Sequence, residues 1–300
     1  DPKTGEYESG ATVFKEEERK EEDNPNICPE GFYFDPIDAQ NDVAILFIET
    51  SGCLPMCGHG LIGALTILIE EKLISPKVLG IIRVETPAGL VVASYIKDQD
   101  KVISVSFTNV PAFLAARDLN VLCDELGSLT IDVSYGGNFY AIIDIQENFK
   151  GIGAYTAGQL IRWSRQIRTQ INKDYSFHHP LDKNIKGCSH ILWGGKPKQK
   201  EADASNAVFY GDKAIDRSPC GTGTSARMAQ WYAKGKLKVG DSFVHESIIG
   251  SIFTGQIKSA VSVGDFLGMI PSIEGSARII GYNQLILDPE DPYVKGFQVI

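Results

Sequence analysis

The apolar positions of this chain change period several times, and the changes mark out its elements. Val43–Glu49 (VAILFIE) is a short β-branched run, which predicts a buried strand. Leu61–Leu73 (LIGALTILIEEKL) is apolar almost all round and predicts a central, buried helix. Gly80–Pro87 and Gly89–Tyr95 read as two strands around the turn Pro87-Ala88-Gly89, and Lys101–Asn109 alternates as another. The middle of the chain carries hairpin signals at Tyr135-Gly136-Gly137-Asn138 within Ile131–Ile145, then a predicted helix over Ala157–Ile171. After it the first order returns. Ala207–Tyr210 is a short strand, and Thr224–Leu237 (TSARMAQWYAKGKL) is a helix with Ser225, Arg227 and Gln230 among its apolar positions. Ser247–Phe253 and Gly255–Val261 read as strands around a turn, and Ala277–Leu287 holds further strand pattern.

The two halves share more than their order. Met56-Cys57-Gly58-His59-Gly60 and Ser218-Pro219-Cys220-Gly221-Thr222-Gly223 both contain Cys-Gly-x-Gly, 163 residues apart, and both lead into a helix ending in Lys-Leu. Glu85 follows its cysteine by 28 residues and Glu246 follows its own by 26, each expected to open a strand. This order points to internal duplication. The expectation is an α+β fold of two pseudo-symmetric lobes. Each lobe is a curved, mainly antiparallel, barrel-like sheet around a central helix, with the active site in the cleft between them. The lobes are expected at 1–118 plus 286–300 and at 119–285.

Composition narrows the class of protein. Of 300 residues, 43% are hydrophobic and 22% charged, as in a globular chain. A net charge of −9 argues against nucleic acid or an anionic membrane as partner. The longest apolar run, Leu61–Ile69, falls short of the roughly 20 residues of a membrane helix. Six scattered cysteines (Cys28, Cys53, Cys57, Cys123, Cys188 and Cys220) fit reduced, cytosolic thiols better than a secreted disulfide scaffold. Lys15 to Asn26 is a charge run expected to stay solvated. The polar start lacks an initiator Met, so trimming at the N-terminus is expected.

The candidate chemistry centres on Cys57 and Cys220. Helix-start N–H groups lack partners within the helix and the helix dipole adds positive potential, so a cysteine there is expected to have a depressed pKa. Gly58 and Gly221 lack a Cβ and allow a ligand close to the backbone. Two such helix ends suit a carboxylate. With Cα of an amino acid between two sulfurs, one thiolate removes the α-proton and the opposite thiol returns one to the other face. No cofactor is needed for this stereoinversion. Cys53 and Cys57 form Cys-x-x-x-Cys, which admits a redox pair; a zinc site would need a second such pair, and no metal is expected. Cys28, Cys123 and Cys188 read as packing residues. His59 and His190 are either core histidines or substrate contacts. Asp216 either caps the turn before Ser218-Pro219 or binds an amine. Phe139 and Tyr210 read as core or pocket wall, and His245 as a strand-edge residue.

MCGHG followed by DRSPCGTGTSA resembles the proline racemase family, which shares its duplicated fold with diaminopimelate epimerase. The resemblance runs from about Val43 to Ile300. It implies that Cys57 and Cys220 are the two acid/base residues. It implies that His59, Asp216 and His190 surround the substrate, and that Gly58, Gly221 and Thr222 supply backbone donors to its carboxylate. Members with Ser in place of the first cysteine dehydrate 3-hydroxyproline; both cysteines are present here, which disfavours dehydration. MCGHG, VSYGGNFYA, VHESIIGSIFTG and DPYVKGF are most similar to members that epimerise 4-hydroxyproline, with proline racemisation the alternative. The implied partner is a small imino acid, with no cofactor, and the family is commonly dimeric. The His-Thr-Ala-Gly-Glu-Pro-like segment with which the family begins is not present, so part of the first lobe is expected to be missing or replaced.

Overall fold

The computed structural model describes residues 13–15, 31–49, 52–54, 56–87, 89–211, 214–282 and 288–293. The fold is α+β, and packing divides it into two units: described residues up to 105 and from 276 onward form one, and Ser106–Gly275 the other.

The first unit contains β1 (Val13–Lys15), β2 (Gly31–Phe34), β3 (Val43–Glu49), β4 (Gly52–Leu54), helix α1 (Gly58–Glu70), β5 (Ile81–Thr86) and β6 (Gly89–Asp98). The chain leaves it within β7 (Lys101–Thr108). The sheet order is β1-β2-β3-β5-β6-β7. Ten of the thirteen α1 residues are buried, as an all-round apolar sequence requires.

The second unit contains β8 (Ala112–Cys123), β9 (Gly127–Tyr135), β10 (Phe139–Ile143), helix α2 (Ala157–Asp174), β11 (Cys188–Gly195), β12 (Ala204–Tyr210) and β13 (Ala214–Ile215). Helix α3 (Gly221–Ala233), β14 (Ser242–Ser247), β15 (Ile252–Val263) and β16 (Phe266–Gly275) complete it. The boundary expected at 118/119 falls inside β8. Within this unit the strands close on themselves: the order β16-β15-β14-β12-β11-β10-β9-β8 returns to β16, with Gly268 opposite Phe113 and Met269 opposite Ala112. Closure leaves this ring of strands without an open edge.

Both faces of β10 are covered. Phe139, Ala141 and Ile143 join the large core on which α2 lays Leu160, Trp163, Ile167 and Ile171. Tyr140 and Ile142 turn the other way, into a small cluster with Cys220 and Ala226 of the α3 region. Helix α3 packs against β8, β9, β10, β15 and β16.

Each unit repeats one construction. A strand runs antiparallel to its predecessor (β3 on β2, β12 on β11), then parallel to the strand that follows the cysteine helix (β3 on β5, β12 on β14). Glu85 lies opposite Ala44, and Glu246 opposite Ser205. The Glu85 carboxylate accepts the N–H groups of Ile37 and Asp38 at 2.9 and 2.8 Å. The Glu246 carboxylate accepts those of Lys198 and Gln199 at 2.6 and 3.1 Å. Every one of these pairs is separated by 161 residues, so a carboxylate secures the equivalent loop in both halves. Neither glutamate opens its strand as expected; each is the last residue but one of it.

Other expectations are corrected. The cysteine helices begin three residues earlier than their apolar periodicity indicates. Both end in a left-handed residue, Lys72 (φ 57°) and Gly235 (φ 71°), before the Lys-Leu of the repeat is complete. Crossed end bonds close them alike: Leu73 N–H to Leu68 O with Lys72 N–H to Ile69 O, and Lys236 N–H to Trp231 O with Gly235 N–H to Tyr232 O. Ser247–Phe253 is not one strand. It spans the turn between β14 and β15, where Gly250 has φ 90° and Ser251 N–H donates to Ser247 Oγ. Residues 276–282 carry no strand, and 283–287 lie outside the described residues. The charge run 16–26 and Cys28 also lie outside them.

Candidate active site at two cysteine-capped helices

Cys57 and Cys220 are the N-cap residues of α1 and α3. An N-cap residue is non-helical while its carbonyl already accepts the first helical bond. Leu61 N–H reaches Cys57 O at 2.9 Å, and Thr224 N–H reaches Cys220 O at 2.7 Å. The first-turn N–H groups of each helix therefore begin beside a sulfur.

The glycines explain the repeated motif. A Cβ on Gly60 would stand 3.1 Å from Cys57 Sγ, and one on Gly223 would stand 3.3 Å from Cys220 Sγ. The second glycine of each Cys-Gly-x-Gly thus makes room for the thiol of its own motif. Gly58 and Gly221 open the helices and are buried.

At α1, Cys57 is half-buried and extended (φ −134°, ψ 113°), with Sγ 3.7 Å from His59 Nε2. Cys57, Gly58 and His59 are thus neighbours at one helix start. The side chain of Cys53, the proposed redox partner, lies outside the described residues.

The α3 site is more tightly built. Cys220 is buried, with φ 63° and ψ 116°, a backbone that non-glycine residues rarely adopt. A ladder of short-range bonds holds it there. Asp216 Oδ1 accepts Ser218 N–H at 2.8 Å, and Ser218 Oγ accepts Cys220 N–H at 3.0 Å. Asn206 Nδ2 and Thr224 Oγ1 donate to Pro219 O at 2.7 and 3.2 Å. Asp216 Oδ1 therefore caps the turn. His245 Nδ1 lies 3.0 Å from Thr224 Oγ1. His245 is fully buried on β14, between β12 and β15, and not a strand-edge residue.

Around the sulfur, Gly223 N–H donates to Sγ at 3.4 Å, Thr222 Oγ1 lies at 3.7 Å and Tyr140 Oη at 3.3 Å. Tyr140 also meets Thr222 Oγ1 at 2.5 Å. His190, half-buried on β11, stacks at a tilt on Tyr140 with ring centroids 4.8 Å apart, and its Nδ1 is 2.7 Å from Ser189 Oγ. Cys220, Thr222, His190 and Asp216 are thus joined through the helix start and Tyr140. Gly136 and Gly137 press on the same turn of α3: a Cβ on Gly136 would lie 2.3 Å from Thr222 O. Asn109 Nδ2 ties Gly136 O to Ser225 Oγ, both at 2.9 Å.

Electrostatics corrects one expectation. Burial pushes the Cys220 thiol up to about 12, and the Asp216 carboxylate adds to the rise; bonds from Tyr140, Gly223 and Thr222 oppose it. Desolvation of a whole sulfur outweighs the helix end here. Burial lowers His190 to about 4, with Arg168 adding repulsion, so its imidazole is neutral near pH 7. Cys188 is buried and also pushed up to about 12, as an inert packing thiol is. Tyr140 and Ser218 were not picked out from sequence. Phe139, read as core or pocket wall, is core and faces α2.

This is a duplicated α+β protein with a thiol at the start of a buried helix in each half. The chain belongs to the proline racemase family, whose profile matches residues 30–298. It is 61% identical over 267 residues to the 4-hydroxyproline 2-epimerase of Spirosoma linguale, covering 89% of this chain and 80% of that protein. It is 58% identical over 259 residues to that of Ancylobacter novellus, covering 86% and 78%. Among solved structures, a hydroxyproline epimerase from Agrobacterium vitis with bound trans-4-hydroxy-L-proline superposes with a TM-score of 0.77 at 29% identity, over 90% of this chain and 78% of that one. A probable proline racemase from Agrobacterium radiobacter with bound carbonate gives 0.78 at 28% identity, over 90% and 79%. A Bacillus anthracis protein of the PhzF family shares the fold at 14% identity, with a TM-score of 0.57 over 82% of this chain and 80% of that one. Among the described residues no helix is long and apolar enough to cross a membrane.

Proposed function

We propose that this chain inverts Cα of 4-hydroxyproline without a cofactor, with Cys57 and Cys220 as the two acid/base groups. The observation that carries the reading is the 61% identity to a 4-hydroxyproline 2-epimerase, in a chain where Cys57 and Cys220 both cap helices. One sulfur, as thiolate, takes the α-proton; the other, as thiol, delivers a proton to the opposite face. The roles exchange for the reverse reaction. Cys220, held protonated by burial and Asp216, is suited to start as the donor. Negative charge developing at Cα spreads into the carboxylate, where first-turn N–H groups of Gly58, Gly221 and Thr222 stabilise it. His59, Asp216 and the neutral His190 would contact the imino acid. Excluding water would strengthen each of these interactions.

The test is epimerisation in deuterium oxide, with optical rotation and Cα deuterium followed together. Each product molecule should carry deuterium, and Cys57→Ser and Cys220→Ser should each abolish inversion. Inversion retained by either single variant would overturn the two-base mechanism. A screen of L- and D-proline with the cis and trans 3- and 4-hydroxyprolines assigns the ring. A product that reacts with a carbonyl reagent would instead mark dehydration.

A further inference from the structure

The catalytic thiol at α3 has a buried hydroxyl beside it that belongs to another element. Tyr140 is fully buried in β10, among Ile142, Leu192, Val208, Cys220 and Ala226. A phenol in such surroundings must find polar partners or lose the hydration it had in water. Tyr140 has two partners, Cys220 Sγ at 3.3 Å and Thr222 Oγ1 at 2.5 Å. Gly223 makes room for the ring: a Cβ there would stand 3.3 Å from Tyr140 Cε1.

The protons in this trio are few. Tyr140 and Thr222 each carry one hydroxyl hydrogen, and Cys220 carries one only as a thiol. When the sulfur is a thiolate, the arrangement that satisfies it has Thr222 donating to Tyr140 and Tyr140 donating to sulfur. When the sulfur is a thiol, Tyr140 is free to turn its hydrogen to Thr222. The hydroxyl pair thus answers to the charge on the sulfur.

We propose that Tyr140, oriented by Thr222, is a positioning residue that stabilises the thiolate form of Cys220 and so makes this buried sulfur usable as a base. The consequence for catalysis rests on the two-cysteine reading above; the effect on the sulfur does not. Hydrogen bonds to a charged acceptor are roughly twice as strong as those between neutral groups, so the thiolate gains more from the phenol than the thiol does. The other groups facing the trio do not supply this. The Asp216 carboxylate opposes the thiolate, and the His190 ring against Tyr140 is neutral. Arg168 acts on His190, where it disfavours a second positive charge. The remaining donors to the sulfur are Gly223 N–H at 3.4 Å and, at the longer distance of 3.7 Å, Thr222 Oγ1. The phenol itself is held well above its usual value by burial and by the Cys220 charge, so it keeps its hydrogen to donate.

The test measures Cys220 directly. In the full chain carrying Cys57→Ser, alkylation by iodoacetamide is followed against pH, with the Cys220 peptide quantified by mass spectrometry. Adding Tyr140→Phe should raise the midpoint by about one pH unit, which is roughly tenfold slower alkylation below it. Thr222→Val should raise it by less, and Thr222→Ser should restore the native value. A midpoint that stays or falls with Tyr140→Phe would overturn the proposal. Should Tyr140→Phe fail to fold, a midpoint equal in Thr222→Val and Thr222→Ser would overturn it equally. A raised midpoint, together with a chain that keeps both cysteines yet epimerises none of the prolines, would leave the role of Tyr140 standing and remove the substrate reading.

Discussion

A Cβ placed on Gly223 would stand 3.3 Å from the sulfur of Cys220, and the same relation holds at 3.1 Å between Gly60 and Cys57. Contacts of that length are tight, so the sulfur would have to give by a few tenths of an ångström. Alanine is the better helix former by about 1 kcal/mol, and both positions lie in a helix first turn. Gly60→Ala and Gly223→Ala should therefore keep or slightly raise the unfolding midpoint in urea. Their kcat for inversion should fall about tenfold to a hundredfold, because misplacement of a reacting group costs rate steeply. Unchanged kcat in both variants would mean that the second glycine serves something other than the thiol.

The helices and the repeat were legible in sequence because each rests on several residues at once. The helix starts were not. Gly58, Gly60, Gly221 and Gly223 are weak helix formers, so the apolar periodicity begins only after them. β8 was missed because Asp118 takes a left-handed turn (φ 54°) and the register with β9 shifts around Ala116, which breaks the alternation. β16 hides behind Gly268 and Pro271. Tyr140 could not be chosen over Phe139, since both faces of β10 are buried and the alternation alone does not say which face meets Cys220. The raised Cys220 pKa comes from burial and from Asp216, neither of which the helix-start argument contains.

The Gly136 turn presses directly on the backbone of α3. A methyl there would meet Thr222 O at 2.3 Å and Ala226 N at 2.5 Å, both backbone atoms that cannot swing aside. Gly136→Ala should lower stability by about 3 kcal/mol or more, the upper range for overpacking. Gly153→Ala is a control, since nothing lies within 4 Å of its Cβ. Equal urea midpoints for the two variants would refute the packing argument.

His190 gives the fold a pH dependence of known sign. Its pKa falls from 6.5 to about 4 on folding, so between those values the unfolded chain binds more protons. The His190 contribution is complete above about 6.5 and is lost as pH falls towards 4. Buried His245, lowered in the same direction, adds to the same trend. His190→Gln should therefore flatten the fall in stability by on the order of 2 kcal/mol between about pH 7 and 4. Parallel stability–pH curves for wild type and variant would show that His190 titrates normally in the fold.

Cys220 and Cys57 cap equivalent helices on different backbones: φ 63° and ψ 116° at Cys220, φ −134° and ψ 113° at Cys57. Only the first is costly for a residue with a Cβ. The strain is held by Ser218, Asn206 and Thr224, whose bonds together fix the one peptide group that joins Pro219 to Cys220. Substitution separates strain from capping. Glycine is a better N-cap than alanine at either site, so the difference between the glycine and alanine variants at position 57 measures capping alone. At position 220 the same difference should be larger by about 1–2 kcal/mol, the penalty a Cβ brings to a left-handed backbone. Urea unfolding of Cys57→Gly, Cys57→Ala, Cys220→Gly and Cys220→Ala gives both differences without reference to activity. Equal differences would mean that Cys220 is relaxed, and that its backbone is shaped by the turn without holding the thiol under strain.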